Sequence, residues 1–383
     1  MDFDLTEEQR LLADAARRFV RHDSPVARAR RMREDARGWE PDVWRKMGEL
    51  GWLGLSLPER AGGAGGSMVD VMVLLEALGA GLVPEPYIAS AVLAAQAIRH
   101  AGDADQQSRW LAPMIEGRTS LALAWMEPAR RYALRPEGTV ARREGNGYRL
   151  DGRKIWVDNG HAADALVVSA LAPDGPTLFV VPRSAQGLAV TRRRTIEEQP
   201  SAEVRLDAVR VGAEDRLGPE GSALPALERA LDCAAAAAVA EGLGVAGAAF
   251  ALTLSHLQTR EQFGVKIGTF QVLQHRAVDM FVELEMLRSM AILAAVECEN
   301  EHDDTRRGAV SAAKAQLSAG GRLVVQQAIQ LHGGIGITDE HDVGLFFKRM
   351  TALAVLYGDE THHLERLAAQ PSFLEGVDRP APG

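Results

Sequence analysis

The chain has 383 residues, of which 46% are hydrophobic and 25% are charged, and its formal net charge at pH 7 is −9. This composition is typical of a soluble globular protein, and the length predicts two or three packed units with a large core. The acidic balance argues against a nucleic-acid partner, because phosphate binding requires a basic surface.

The N-terminus and the cysteines bear on the cell compartment. The first residues, "MDFDLTEEQR", are acidic and lack an apolar segment, so the sequence predicts no secretory signal. We also expect no membrane partner, and no stretch of about twenty residues apolar enough to span a bilayer. Cys233 and Cys298 lie in helix-like sequence without metal-ligand spacing, which predicts a cytoplasmic protein without a metal site.

Hydrophobic periodicity first indicates a helical N-terminal domain over residues 1–115. In "LTEEQRLLADAARRFV", two acids follow Thr6, and such acids favour a helix N-terminus. Leu11, Ala15 and Phe19 then fall at helical spacing, so one face of this helix is expected to be buried.

The pattern changes over residues 116–217 and changes back over residues 218–383. Short β-rich runs such as "DALVVSAL", "TLFVVPR" and "AEVRLDAVRV" are separated by the turn signals "GNG", "PDG" and "AQG". Long helical runs then return. We therefore predict a mostly α protein in which a small β domain is inserted between two helical domains.

Five segments occur in a fixed order along the chain: "LGWLGLSLPERAGGAGGS", "LALAWMEP", "DGRKIWVDNGHAADALVVSA", "TREQFGVKIGTFQVLQHRAVDM" and "QAIQLHGGIGIT". Any one of them is a weak signal, but together they resemble the acyl-CoA dehydrogenase family over essentially the whole chain. Three further segments, "EPARRY", "EHDVGLFFKR" and "GDETHHLERLA", look most like small subunits of heteromeric enzymes of the pimeloyl-CoA dehydrogenase type.

The resemblance implies an N-terminal helical domain, a middle β-barrel or sandwich and a C-terminal four-helix bundle. It also implies an FAD enzyme that converts an acyl-CoA, or a carrier-bound acyl thioester, to the 2-enoyl thioester. The partners implied are a like or unlike chain in a dimer or tetramer, and electron-transfer flavoprotein as electron acceptor. In this chemistry a carboxylate removes the α-proton while hydride leaves the β-carbon for the flavin. Such a base needs a pKa raised by a dry pocket.

A clamp for the ADP half of FAD is implied as well, and in the family it reaches across a dimer interface to the neighbouring subunit. The matching positions are Arg260, Gln262, Phe263, Gln271, Gln330, Gly333 and Gly334. Arg260 suits a pyrophosphate because its planar guanidinium makes paired, charge-assisted hydrogen bonds. The two glycines permit a close backbone approach to the cofactor. Alternatively, Arg260 pairs with a surface acid and the glycines only end a helix.

The positions that match the flavin-ring side depart further from the family pattern. Trp156 matches the tryptophan that packs on the ring, although a strand tryptophan can also be a core residue. Asp158 replaces Thr or Ser, so it either points away from the flavin or has a raised pKa. Met126 replaces a threonine. Arg130 and Arg131 either meet CoA phosphates or lie in an exposed loop.

Two segments are candidates for the catalytic base, and the first is the C-terminal "LYGDETHHLERLAA". In many family members the base is the Glu of a Tyr-Glu-Gly-Thr motif. Here Tyr357 is retained, but Gly358 occupies the glutamate position. Asp359 and Glu360 follow one and two residues later, and they are alternatives that could instead cap or solvate the next helix.

The second candidate lies on the long helix before the Arg-x-x-Phe-Gly motif, where other members carry the base. Glu241 is the single acid in "CAAAAAVAEGLGVAGAAF", and it stands seven residues after the position familiar from some relatives. A carboxylate among apolar residues must be neutral, paired or part of a site, and desolvation raises its pKa. We therefore predict Glu241 as the base, with a hydrogen-bonded glutamate at a subunit interface as the alternative.

Two other functions remain open. Because the clamp matches the family while the flavin-ring side departs from it, the chain could be a non-catalytic subunit that completes a partner's FAD site. A flavin monooxygenase or oxidase on the same fold is the third interpretation.

Overall fold

The structure is a computed structural model that describes residues 4–370. The end of the predicted C-terminal domain, residues 371–383, lies outside the described residues. The described chain forms two compact units. The first contains residues 4–26, 72–82 and 235–370, and the second contains residues 27–71 and 83–234. The three-segment boundaries at 1–115, 116–217 and 218–383 stay a prediction.

Helices occupy both ends of the described chain. The α-helices are α1 Glu7–His22, α2 Val26–Met32, α3 Pro41–Glu49, α4 Met68–Ala80, α5 Ala95–Ala101, α6 Ala104–Ile115, α7 Ala223–Thr259, α8 Gln271–Glu297, α9 Asp303–Gln316, α10 Arg322–His332, α11 Val343–Leu353 and α12 Glu360–Ala368. Wider π-helical turns at Tyr87–Ala94 and Leu317–Gly321 lead into α5 and α10. At the predicted start of α1, Thr6 and Gln9 form a reciprocal capping box.

Strands form the middle of the chain. They are β1 Leu121–Ala124, β2 Val140–Glu144, β3 Gly147–Asp158, β4 Ala165–Ala172, β5 Gly175–Pro182, β6 Leu188–Arg194, β7 Pro200–Gly212 and β8 Arg216–Leu217, followed in the first unit by the short pair β9 Glu261–Gln262 and β10 Val265–Lys266. The predicted β domain is thereby confirmed.

The second unit is built on one eight-stranded mixed sheet, with strand order β6-β7-β3-β2-β4-β5-β8 and β1 paired in parallel with β4. Val204 and Leu206 of β7, and Val209 and Val211 beyond a register shift in its pairing with β3, are buried in the core of this unit. The β3–β7 pairing loses register between Lys154 and Val157. This irregularity re-aims the side chains of β3 at the point where a flavin neighbour is predicted.

The first unit is helical, and α4 and α7 cross in it at very short range. A Cβ at Gly244 would lie 2.0 Å from the carbonyl oxygen of Glu76, and one at Gly79 would lie 2.2 Å from that of Glu241. Glycine is therefore required at both positions, because any side chain would collide with the facing backbone. This crossing places Glu241 deep in the unit.

The apolar character of α7 bears on the membrane expectation. By length and composition α7 is a helix of the described chain that could cross a membrane, although Glu241 keeps its apolar stretch from being free of charge. However, 72% of its most apolar window is buried inside the protein. An alanine-rich helix buried on all sides behaves as a core helix.

Candidate cofactor and catalytic site

The first half of the predicted clamp is the hairpin that follows α7. The backbone N–H of Arg260 donates to the carbonyl of His256 at 2.9 Å, and the N–H of Ile267 donates to the carbonyl of Arg260 at 2.9 Å. The first bond ends α7 and the second closes the hairpin β9–β10. Phe263 lies at the tip of the hairpin with 92% of its surface exposed and φ +54°. Arg260 and Gln262 are exposed on the same hairpin.

Arg260 makes no ion pair with any acid of the described chain. The alternative of a surface ion pair is therefore not what the structure shows. An exposed guanidinium with no acidic partner is free to make paired hydrogen bonds to a phosphate group.

The second half of the clamp is the turn after α10. Gly333 ends the helix with φ +62°, and a Cβ built at Gly333 or Gly334 meets nothing within 4 Å. By contrast, a Cβ at Gly336 would lie 2.7 Å from a backbone oxygen. Gly333 therefore ends the helix, as in the alternative interpretation of the two glycines. It also leaves open space beside the exposed backbone of the turn. Gln330 and Gln271 are exposed at the adjoining helix ends.

Three histidines connect these two halves, and sequence reasoning missed them as a group. The rings of His256 and His332 stack with centroids 4.6 Å apart, and the centroids of His332 and His341 are also 4.6 Å apart. His256 lies one helical turn before Arg260, and His332 directly precedes Gly333. The hairpin and the glycine turn therefore project from one cluster. No group of His, Cys, Asp and Glu in residues 4–370 could hold a metal ion.

In the second unit, two buried charges hold the flavin-ring positions together. Lys154 Nζ donates to Oε1 of Glu127 at 2.9 Å, to Oγ of Ser169 at 3.0 Å and to the carbonyl of Trp125 at 3.2 Å. The N–H of Ile155 donates to the carbonyl of Met126 at 3.0 Å. The end of β1 is thereby fixed beside the irregular part of β3.

Trp156 lies in that irregular part of β3. It has φ +52°, a conformation that is rare for a bulky residue, and 56% of its surface is exposed. A strained and exposed aromatic residue at a bulge is typical of a binding site and is not how a core tryptophan behaves. The sequence resemblance and the geometry therefore favour the same role for Trp156.

The other ring-side and substrate-side residues have partners within the second unit. Asp158 lies near His161, where its carboxylate and the carbonyl of Arg37 partly offset the burial that lowers the pKa of His161. Arg130 forms an exposed ion pair of 2.6 Å with Glu137. Arg131 has its guanidinium 5.6 Å from the ring centroid of Tyr132. Their CoA-binding role stays a prediction.

At the first candidate for the base, the backbone conformation and two neighbouring histidine rings disfavour a side chain. Gly358 has φ +121°, and a Cβ there would lie 2.3 Å from Nε2 of His363 and 2.7 Å from Cδ2 of His362. Buried Lys314 fixes the segment, because its Nζ donates at 2.8 Å to the carbonyls of Leu353 and Gly358. Burial lowers the pKa of Lys314 to about 7. The sequence alone showed only that Gly358 occupies the position of the glutamate in the family motif.

The two acids after Gly358 belong to the start of α12. The side chain of Asp359 accepts the backbone N–H of His362 at 3.0 Å and so caps the helix. Glu360 is the first helical residue, where a negative charge favours the helix N-terminus. This geometry agrees with the capping alternative for both residues.

At the second candidate, the carboxylate has a charged partner. Glu241 is 6% exposed, and Arg349 of α11 donates to it twice, from Nε to Oε1 at 2.6 Å and from Nη2 to Oε2 at 2.9 Å. Such a two-point ion pair stabilises the ionised carboxylate. Glu241 is thus the only acid of its apolar stretch in the sequence but is paired in the structure, which is one of the states expected for it; its role as the base stays a prediction.

The order of a helical, a β and a second helical segment along the chain can be compared with known families. Three family models match in that order. They are the acyl-CoA dehydrogenase N-terminal domain at residues 6–118, the middle domain at residues 122–209 and the C-terminal domain at residues 224–371.

Individual relatives agree with these matches. The acyl-CoA dehydrogenase IpdE2 of Mycolicibacterium smegmatis is 32% identical over 376 residues, covering 96% of this chain and 99% of that protein. A solved variant of the Tcur3481–Tcur3483 steroid ACAD is 33% identical with a TM-score of 0.87, covering 97% of this chain and 99% of that one. A glutaryl-CoA dehydrogenase from Mycobacterium smegmatis in complex with FADH2 is 25% identical with a TM-score of 0.88, covering 96% of this chain and 95% of that one.

The chain belongs to the acyl-CoA dehydrogenase family. The predicted family and fold class are confirmed, and so is the class of enzyme, an oxidoreductase. Members of this family are FAD-binding, in agreement with the predicted cofactor. Likeness to the pimeloyl-CoA dehydrogenase type stays a prediction.

Proposed function

We propose that this chain acts in the FAD-dependent α,β-dehydrogenation of an acyl-CoA, or of a carrier-bound acyl thioester, to the 2-enoyl thioester. The observation that carries the proposal is Arg260, which is exposed without an acidic partner in the described chain and adjoins the open Gly333–Gly334 turn through the histidine cluster. FAD, when bound, accepts the hydride that leaves the β-carbon. Electron-transfer flavoprotein as final acceptor and a cytoplasmic location remain part of the proposal.

The chain's own residues have three tasks in this proposal. Arg260 binds the pyrophosphate through paired, charge-assisted hydrogen bonds, and Gly333 and Gly334 allow the backbone to approach it. Trp156 packs against the flavin ring. The Lys154–Glu127 pair holds the backbone at Met126 and Ile155, so that the ring-side wall keeps one geometry.

The proposal includes a dimer or tetramer of like or unlike chains. The described first unit exposes many large apolar side chains, including Phe263, Val278, Phe281, Val282, Met286 and Ile337. Contiguous exposed apolar surface marks association sites in soluble proteins. The solved Tcur3481–Tcur3483 relative is named as a pair of proteins, which supports an unlike partner.

The source of the base separates two forms of the proposal. In the first, Glu241 accepts the α-proton after leaving Arg349. In the second, a partner chain supplies the base and this chain completes the partner's flavin site. The second form is favoured by the two-point ion pair of Glu241, by the lack of space at Gly358 and by the capping role of Asp359.

The deciding experiment is flavin bleaching by a panel of acyl-CoAs under anaerobic conditions. The purified chain and the chain co-expressed with unlike family members from its source would both be assayed. A coloured chain that bleaches alone supports the first form. A colourless chain that gains flavin and bleaching only with a partner supports the second. A flavin that consumes oxygen but never bleaches with an acyl-CoA would contradict both forms and indicate a monooxygenase or oxidase.

Glu241→Gln and Arg349→Met separate catalysis from structure. If Glu241 is the base, Glu241→Gln slows bleaching by about 10²–10⁴-fold while Arg349→Met does not. If the pair is structural, both variants lower the unfolding temperature to a similar extent and each folded variant still bleaches. We expect the second result.

A further inference from the structure

We propose that His256, His332 and His341 pack into a support for the cofactor clamp, which holds the ADP half of FAD tightly only while the imidazoles of His256 and His332 are neutral. The inference rests on the proposed clamp function of Arg260 and the Gly333–Gly334 turn.

The three histidines come from three different segments around the clamp. His256 lies in the last turn of α7, and its carbonyl accepts the N–H of Arg260 at 2.9 Å, so it anchors the residue that opens the hairpin. His332 is the last residue of α10 before the glycine turn. His341 leads into α11, where its Nδ1 accepts the N–H of Val343 at 3.2 Å. Packing of the three rings therefore sets the spacing between the two halves of the clamp.

The hydrogen bonds of His332 indicate which of its ring nitrogens carries the proton. Nδ1 lies 2.7 Å from the carbonyl oxygen of Ala328, and only a protonated Nδ1 can donate to a carbonyl. The opposite nitrogen, Nε2, is buried and has no partner within residues 4–370. The residue as a whole is 5% exposed. A second proton would create a buried cationic N–H without an acceptor, which is strongly unfavourable.

Burial and the positive charges around the cluster also disfavour a second proton. Burial lowers the pKa of His256, and His341 and Arg260 lower it further. Burial also lowers the pKa of His332, where the Ala328 carbonyl opposes the change and the two neighbouring histidines add to it. From α8, Arg276 contacts α10 through Gln327 at 2.9 Å. Glu340 and Asp342, which flank His341 in the chain, are the acids nearest in sequence.

The sign of the pH effect follows from these lowered pKa values. An opened clamp exposes the imidazoles of His256 and His332 to water and returns their pKa values toward the ordinary value of about 6.5. Below that pH the opened form therefore binds more protons than the closed form, so acid favours opening. FAD affinity is expected to be constant above neutral pH and to fall as the pH drops below about 6.5.

The test measures the FAD dissociation constant of the assembled holoprotein between pH 8 and pH 5, from the fluorescence of released flavin. We expect wild type to weaken by about tenfold or more between pH 7.5 and pH 5.5, because each imidazole that is protonated only in the opened form raises the constant by up to about tenfold per pH unit below its pKa. His332→Asn keeps a donor for the Ala328 carbonyl but cannot be charged. Its FAD affinity should therefore fall by about threefold or less over the same pH range. His256→Asn provides a second neutral variant.

Two control variants distinguish a failure of the histidine proposal from a failure of the proposed clamp function. His22→Gln removes an exposed histidine of α1 and should keep the wild-type profile. Arg260→Ala should lose FAD at every pH. If Arg260→Ala binds FAD normally, the proposed clamp is wrong. If Arg260→Ala loses FAD but wild-type affinity is flat with pH, or both neutral variants keep the wild-type slope, the clamp stands and the histidine proposal is overturned.

Discussion

Glu127 connects the buried charge pair of the second unit to its longest irregular loop. Besides Lys154, its carboxylate accepts the backbone N–H groups of Glu137, Gly138 and Thr139 at 2.7–2.9 Å. The loop that carries Arg130 and Arg131 is thereby closed on a residue of the ring-side wall. A carboxylate with this many donors is stabilised in its charged form.

Removing one member of this pair should destabilise the protein strongly. Lys154→Met leaves a buried carboxylate without its cation, and we expect a loss of about 3–5 kcal/mol in the free energy of unfolding. Urea denaturation measures this loss. The double variant Lys154→Met/Glu127→Gln, which has no uncompensated charge, should lose less than Lys154→Met alone. A loss below about 1 kcal/mol for Lys154→Met would show that the pair is solvated.

The same carboxylate predicts a pH dependence of stability. Burial opposes its ionisation, but Lys154 and the loop amides prevail and lower the pKa of Glu127 to about 2 from 4.5. Because the folded state has the lower pKa, this contribution is present above pH 4.5 and is lost as the pH falls toward 2. Unfolding free energies measured across this range should decline less steeply for Glu127→Gln than for wild type. Equal slopes would contradict the assignment.

At the scale of elements, the turn before α12 determines whether a base can be restored. Gly358→Glu places a side chain against His363 in a left-handed conformation, so we expect a loss of about 2 kcal/mol or more and no gain in turnover. Thermal unfolding and acyl-CoA bleaching measure the two effects. Gly358→Ala is the matched control, since it has the same backbone strain without a carboxylate. A Gly358→Glu protein with wild-type stability and new activity would refute this account of the turn.

The first turn of α12 distinguishes a cap from a base. Asp359→Ala should cost about 1 kcal/mol of stability, because it removes the acceptor for the N–H of His362. Asp359→Asn retains an acceptor and should be nearly neutral in both stability and turnover. An Asp359→Asn variant that is stable but no longer bleaches its flavin would instead indicate a catalytic carboxylate.

At the scale of the whole molecule, the exposed apolar face of α8 predicts association. Phe281→Asp places a charge among the exposed side chains of Val278 and Val282, and we expect it to shift the protein toward the monomer. Sedimentation velocity measures this change in assembly. Because the clamp is implied to serve a neighbouring subunit, bound FAD should fall in parallel. Leu50→Asp, at an exposed leucine of the second unit, is the control, and equal behaviour of the two variants would argue against an interface on α8.

Family, fold class and cofactor followed from the sequence because they depend on local patterns. Helical and strand periodicity is a property of neighbouring residues, and the order of five motifs along the chain needs no knowledge of contacts. The positions of Arg260, Gly333, Gly334 and Trp156 were likewise predicted by motif. Sequence alone also indicated that Gly358 had replaced a base.

Tertiary structure decided the state of the acids and histidines, because their chemistry depends on side chains that are distant in the sequence. Glu241 stands alone in an apolar stretch, yet its partner Arg349 is 108 residues further along the chain. Lys314 binds the carbonyl of Gly358 from 44 residues away, and His256 stacks on His332 from the end of another helix. These long-range contacts determine whether a charged side chain is buried and which partner it has. The spacing of residues along the sequence therefore could not predict either property.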